Sequence, residues 1–140
     1  MTDQPAAGIL DTSVFIASET DRQLNTSAIP DEVATTVITL AELNAGVLVA
    51  PTAEVRAGRM RTLDAISDMI ALSVDEEAAR LWALLRVHLA ETGRRARIND
   101  LWIAAIAASK HLPVVTQDED FDALEGVADL AIIRVYSRIV

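Results

Sequence analysis

Four carboxylates stand where apolar runs begin, end or would otherwise continue. Asp11 directly follows "GIL", Asp118 follows "PVVT" by one residue, and Asp100 opens "LWIAAIAA". Glu42 lies inside "TTVITLAELNAGVLVA" and is the only charged residue between Glu32 and Glu54. A carboxylate in such a setting is costly unless its charge is compensated. A cluster of four would repel itself or take up protons unless a divalent cation neutralised it. With no cysteine and two histidines in the chain, oxygen ligands point to Mg²⁺ or Mn²⁺ and not to zinc. Taken singly, each acid also has a structural reading. Asp100 at a helix start stabilises the positive end of the dipole by about 0.3–1 kcal/mol, and Glu42 could face solvent or pair with an arginine such as Arg97. His88, inside "LWALLRVHLA", and His111, at a helix end, read as structural.

These acids need elements to hold them. "GILD" reads as a short buried strand ending at Asp11, followed by a helical turn through "TSVFIAS"; an extended piece around "EVATT" leads into a helix from about Val37 to Val49, closed by Pro51. A further helix covers "AEVRAGRMRTLDAISDM", "IALSV" is a strand, and Asp75 caps a long helix through Thr92. Asn99 or Asp100 is the expected cap of "LWIAAIAASKH", a helix apolar nearly all round and hence buried or in a subunit interface. "LPVVT" and "LAIIRV" supply the last strands. Strands alternating with helices predict an α/β domain, a central, mostly parallel sheet flanked by helices and joined by right-handed crossovers. Ligands of such sheets bind beyond the carboxyl ends of the strands, where Asp11 and Asp118 fall.

At 140 residues the chain suits one domain that buries roughly two-thirds of its unfolded surface. We expect residues 1–7 to form a loose tail and residues 8–140 the domain. The absence of cysteine fits a reducing compartment, and no basic leader or membrane-length apolar stretch is present, so the expectation is a cytoplasmic chain. A net charge of −9 argues against general nucleic-acid binding, which depends on cations displacing counterions at phosphates. Local charge differs: Lys110 is the only lysine among twelve basic residues, and Arg94, Arg95 and Arg97 sit together in "GRRARIND". Guanidinium forks suit phosphate oxygens; a solvated loop is the equal alternative. Arg56, Arg59 and Arg61 read as ordinary surface charge.

"ILDTSVFIA", "TTVITLAELNAGV", "INDLWIAAIAA" and "VVTQDEDFDAL" resemble the four acid-bearing motifs of the PIN domain, in the order and spacing of VapC toxins from toxin–antitoxin pairs, those of mycobacteria above all. The likeness spans nearly the whole chain. It implies an Mg²⁺-dependent endoribonuclease, with Mn²⁺ as a substitute, that cuts structured RNA, stops translation and is held off by a VapB-type antitoxin. It places Asp11, Glu42, Asp100 and Asp118 at the family's acids, with Asp11 and Asp100 as direct metal ligands. Thr12 or Ser13, Asn99 and Thr116 fall at supporting polar positions, and Asp120 is a candidate fifth acid. The apolar surplus and the resemblance together suggest a homodimer. Two other α/β readings compete, one an enzyme and one a signalling domain. A phosphatase of the haloacid dehalogenase type needs a second Asp where Ser13 stands, and a phosphoacceptor receiver needs a Lys after its last-but-one strand, yet Lys110 precedes "PVVT". A third reading keeps the PIN fold as a non-catalytic binding module.

Overall fold

The computed structural model describes residues 6–20, 22–117 and 119–136. Five strands form one all-parallel sheet: β1 (Ala7–Leu10), β2 (Glu32–Thr36), β3 (Ala71–Leu72), β4 (Val114–Thr116) and β5 (Ile132–Arg134), in the order β3-β2-β1-β4-β5. The helices are α1 (Thr12–Glu19), α2 (Val37–Leu48), α3 (Ala53–Ala65), α4 (Glu76–Thr92) and α5 (Ile98–Ser109). From β1 the chain builds outward through β2 and β3, then returns to add β4 and β5 on the other side. The gap between β1 and β4 is therefore the topological switch point, where the connections leave a crevice at the strands' carboxyl ends.

The period of two in β1 decides which layer each side chain joins. Ile9 packs into a core built largely from α4 and α5, whereas Leu10 joins Val14, Phe15, Leu43, Ile66, Val115 and Val135 on the opposite face. One residue before Ile9, on the Leu10 face, Gly8 leaves no room for a side chain: a Cβ there would meet Val115 Cγ2 at 2.8 Å and Pro30 Cγ at 3.2 Å. β1 starts at Ala7, which pairs with Glu32.

Helix α4 lines up Ala78, Leu81, Leu85 and Leu89 as a buried stripe against α5, and Trp82 stacks on Trp102 with ring centres 5.0 Å apart. Asp75 caps α4 by accepting from Ala78 N at 2.9 Å, and Gly93, at φ 66°, supplies the left-handed residue that ends it. In α5, Leu101 and the run Ile103–Ala108 are all buried. The apolar circumference expected there therefore serves the interior. Small alanines let this helix lie close to both α4 and the sheet.

Three boundaries differ from expectation. α3 stops at Ala65, not Met69, because the chain turns: Ser67 Oγ donates to Asp64 O at 2.9 Å and competes with the helical pattern. Of "IALSV" only Ala71 and Leu72 pair, since β3 is an edge strand that meets only the last two residues of β2. Helix α5 begins two to three residues earlier than expected, with Arg97 at the N-cap in an extended conformation and no side-chain cap, so Asn99 and Asp100 lie inside the first turn.

Two outcomes follow from this packing. Gly8→Ala should destabilise the protein by about 1–3 kcal/mol in urea denaturation, because the extra methyl must displace Val115 or Pro30. The Ala78 amide, followed by Lys110 at 3.3 Å, holds the Asp75 carboxyl below its ordinary value of 3.8. A depressed folded-state pKa stabilises the fold above the unfolded value, and that contribution is lost as pH falls through the folded value. Asp75→Ala should thus lower the urea midpoint at pH 7, and the difference from wild type should shrink below about pH 4.

Candidate active site

Asp11 is the hinge of the site. It occupies the N-cap of α1, the position at which an aspartate ordinarily accepts from a backbone amide of the first turn, yet its side chain makes no such bond. It is instead buried, 3% exposed, with Oδ1 accepting from Ser13 Oγ at 2.7 Å and Oδ2 from Thr116 Oγ1 at 3.0 Å. Ser13 Oγ in turn accepts from Gln117 N at 2.9 Å. Both hydroxyl protons thus point at Asp11, and the carboxylate is fixed from α1 and β4 at once. The backbone repeats the link, since Asp11 N donates to Val115 O at 3.1 Å.

Glu42 reaches the same edge from α2. Its Oε1 accepts from Thr12 Oγ1 at 2.6 Å, and Thr12 Oγ1 stands 3.1 Å from Thr39 Oγ1. Its bonded partner is thus Thr12, the residue after Asp11, and not Arg97. Thr36 caps α2 through Thr39 N at 3.2 Å, and Thr35 Oγ1 donates to Leu10 O at 3.0 Å. This run of buried threonines ties the start of α2 to the end of β1 and fixes the turn of helix on which Glu42 lies. Asp100 is half-buried at the third position of α5, where the helix dipole favours negative charge. Asn99 is exposed beside it.

Asp118 lies outside the described residues. The chain that follows it is anchored: Phe121 is fully buried, and Arg134 on β5 binds Asp122 through Nε at 3.1 Å and through Nη2, and Glu125 through Nη2 at 3.0 Å. Those two acids, Glu125 first, raise the Arg134 pKa further above its ordinary value. Asp120 does not join Asp11 directly in any described hydrogen bond; it lines a cleft of about 460 Å³ with Glu119, Arg94, Arg95, Ala96, Arg97 and Ala123. All three arginines are exposed on it.

A second pocket of about 260 Å³ adjoins Glu42 and is lined by Thr12, Ile16, Glu19, Thr20, Leu43, Gly46 and Arg59. The sequence reading missed both of its outer charges. Arg59, read as surface charge, is half-buried and donates to Gly46 O at 2.6 Å. Glu19 was not singled out at all. The available signal was spacing: residues 12, 16 and 19 share one face of α1, and 42 and 46 share one face of α2.

Among the described residues, no three of His, Cys, Asp and Glu come together as a metal-holding group. The donors at Asp11 and its neighbours are carboxylate and hydroxyl oxygens, a hard set that suits Mg²⁺, which uses one or two carboxylates and keeps several waters. Among the described residues no helix is long and apolar enough to cross a membrane.

Residues 8–127 match the PIN domain. The chain is 64% identical over 135 residues to ribonuclease VapC5 of Mycobacterium tuberculosis, covering 96% of this chain and 100% of that protein. It is 37% identical over 124 residues to ribonuclease VapC4 of the same organism, covering 89% and 95%. Its structure superposes on that of a VapBC-5 toxin–antitoxin family member from M. tuberculosis with a TM-score of 0.88 and 64% identity, over 94% of this chain and 100% of that one. The dehalogenase and receiver readings have no place beside these matches. With a parallel sheet whose switch point presents Asp11, an acid on α2 tied to it through Thr12, and this degree of likeness, the chain belongs to the PIN-domain family and, within it, to the VapC proteins.

Proposed function

We propose that the chain is an Mg²⁺-dependent endoribonuclease toxin that hydrolyses phosphodiester bonds in structured RNA, tRNA or rRNA, and so halts translation. The observation that carries this reading is the carboxylate of Asp11, withdrawn from helix capping and held by Ser13 and Thr116 at the β1–β4 switch point. Asp11 and Asp100 are the residues that would hold the ion. When bound, Mg²⁺ lowers the pKa of coordinated water and offsets charge on phosphoryl oxygens. Mn²⁺, with the same preference for oxygen donors, would substitute. Glu42, held by Thr12, and Asp118 would orient the attacking water, while Ser13 and Thr116 hold the Asp11 carboxylate in place by donating to its two oxygens. Asn99 and Asp120 would have supporting roles, Asn99 in orienting water or acids and Asp120 as a fifth acid. Arg94, Arg95 and Arg97 attract the phosphates that the acids would repel, which an acidic chain needs in order to bind RNA.

The relatives named for VapBC pairs support a further part of the reading, that a VapB-type antitoxin binds the chain and blocks the site; on the same reading the toxin forms a homodimer, and toxin and antitoxin assemble as a hetero-oligomer in the cytoplasm. Exposed Leu48, Val49, Ile70 and Ile98 offer apolar surface for such contacts.

Purified protein should cleave RNA in Mg²⁺ and stop in excess chelator; persistent cleavage there would sink the metal reading. Without divalent ions, Asp100→Asn should be as stable as wild type or more so, since carboxylate repulsion is relieved. In Mg²⁺ the wild type alone should gain thermal stability, because an ion bound only by the folded state raises it. Ser13→Ala removes one support of Asp11 and should reduce activity or metal affinity by about 10–100-fold; an unchanged rate and affinity would show that Asp11 needs no such support.

A further inference from the structure

Glu19 lines the pocket beside Glu42 and, on its other side, a cavity shared with Phe15, Arg61 and Ile66. Glu19 ends α1, and its Oε1 is buried without a hydrogen-bond partner. A buried acceptor left unmet is unfavourable in the free protein, so a donor arriving from a ligand would relieve it. Thr12 and Glu42 form the pocket's wall towards the acid centre. A group seated there therefore belongs to a molecule whose neighbouring part lies at Asp11 and Glu42. Ile16 and Leu43 supply an apolar floor. At about 260 Å³ the space lies below the roughly 300–1,000 Å³ of sites for drug-sized ligands, suiting one planar ring system. Arg59 lines the same pocket, and its guanidinium is held in place by Gly46 O at 2.6 Å, leaving further N–H groups for an acceptor.

Resting on the ribonuclease reading above, we infer that this pocket receives the base next to the scissile phosphate and that Glu19 and Arg59 select guanine. Sequence-specific RNA recognition works by splaying out unpaired bases and bonding their edges. Guanine alone among the four presents two adjacent donors, N1–H and the N2 amino group, to a carboxylate, and it carries the acceptors O6 and N7 for a guanidinium. Adenine and cytosine offer a single amino donor beside a ring acceptor, which would face Glu19 with repulsion. Uracil offers one imino donor between two carbonyls. The pairing of one carboxylate with one guanidinium across an apolar slot is thus matched by one base and opposed by the others.

The test uses single-stranded RNA oligonucleotides with one cleavable bond, varied among guanosine, inosine, adenosine, cytidine and uridine on each side of the cut. With Mg²⁺ the wild type should favour guanosine over adenosine at one flank by about 10- to 100-fold in kcat/KM. Inosine, which lacks the N2 amino group, should fall between them. Glu19→Gln and Glu19→Ala should collapse the guanosine-to-adenosine ratio towards one. Equal use of guanosine, inosine and adenosine at both flanks, or an unchanged ratio in both variants, would overturn the inference. Affinity of Asp100→Asn for the same oligonucleotides separates it from the parent reading. A guanosine preference in binding that Glu19→Gln removes supports the pocket even if no RNA is cut, whereas base-independent binding refutes the pocket even if RNA is cut. If Glu19→Ala leaves base preference intact but weakens inhibition by the antitoxin, the pocket is a protein-docking groove and the inference fails.

Discussion

The parallel pairing of β1 with β4 is the constraint on which the site depends. It sets Ile9 opposite Val114 and Leu10 opposite Val115, and it brings Thr116 to the flank of Asp11 across more than a hundred residues of chain. If this register slipped by one residue, every side chain of β4 would change face. Val114 and Val115 would exchange cores, and the Thr116 hydroxyl would leave Asp11. The apolar packing on both faces of the sheet thus enforces the polar geometry at its edge. Gly8 makes the same point from the other end, since the closeness of β1 to Val115 and Pro30 admits no side chain.

From that edge the helices project outward with little freedom. Thr35 and Thr36 are buried at the end of β2, one bonded to Leu10 O and the other capping α2. Glu42 therefore lies at a fixed rotation about the α2 axis, and Thr12 receives it. This resolves why one carboxylate interrupts an otherwise apolar helix. The helix packs against the sheet through residues such as Leu43, while its neighbour in sequence faces the crevice. On the opposite side, the alanine-rich α5 is held by α4 and the sheet, and Asp100 enters from its first turn.

Much of this was legible in the sequence because the signals were local. Strand-end acids, Asp75 three residues ahead of the amide it caps, and the alternation of apolar runs with helical periods each declare themselves within one element. What escaped depended on partners far away in the chain. Nothing in "RAGRMR" says that Arg59 will bond the carbonyl of Gly46, and nothing near Glu19 distinguishes its buried oxygen from surface charge. The start of α5 was misplaced because Asn99 and Asp100 are strong capping types, whereas the helix begins from an arginine that does not cap. Asp100 lies inside the first turn, a place for which its capping propensity is no guide. "IALSV" has the composition of a full strand, but an edge position with a two-residue partner pairs only Ala71 and Leu72.

The account's central claim is that Asp11 and Asp100 share one divalent ion at the switch point between β1 and β4. Anomalous diffraction from crystals of the free protein grown with Mn²⁺ tests it most directly, because the scattering marks the ion's position independently of any activity. The account predicts a peak within coordinating distance of both carboxylates, with Thr116 and Ser13 still bonded to Asp11. A peak elsewhere, or saturating Mn²⁺ with no peak at Asp11, would contradict it.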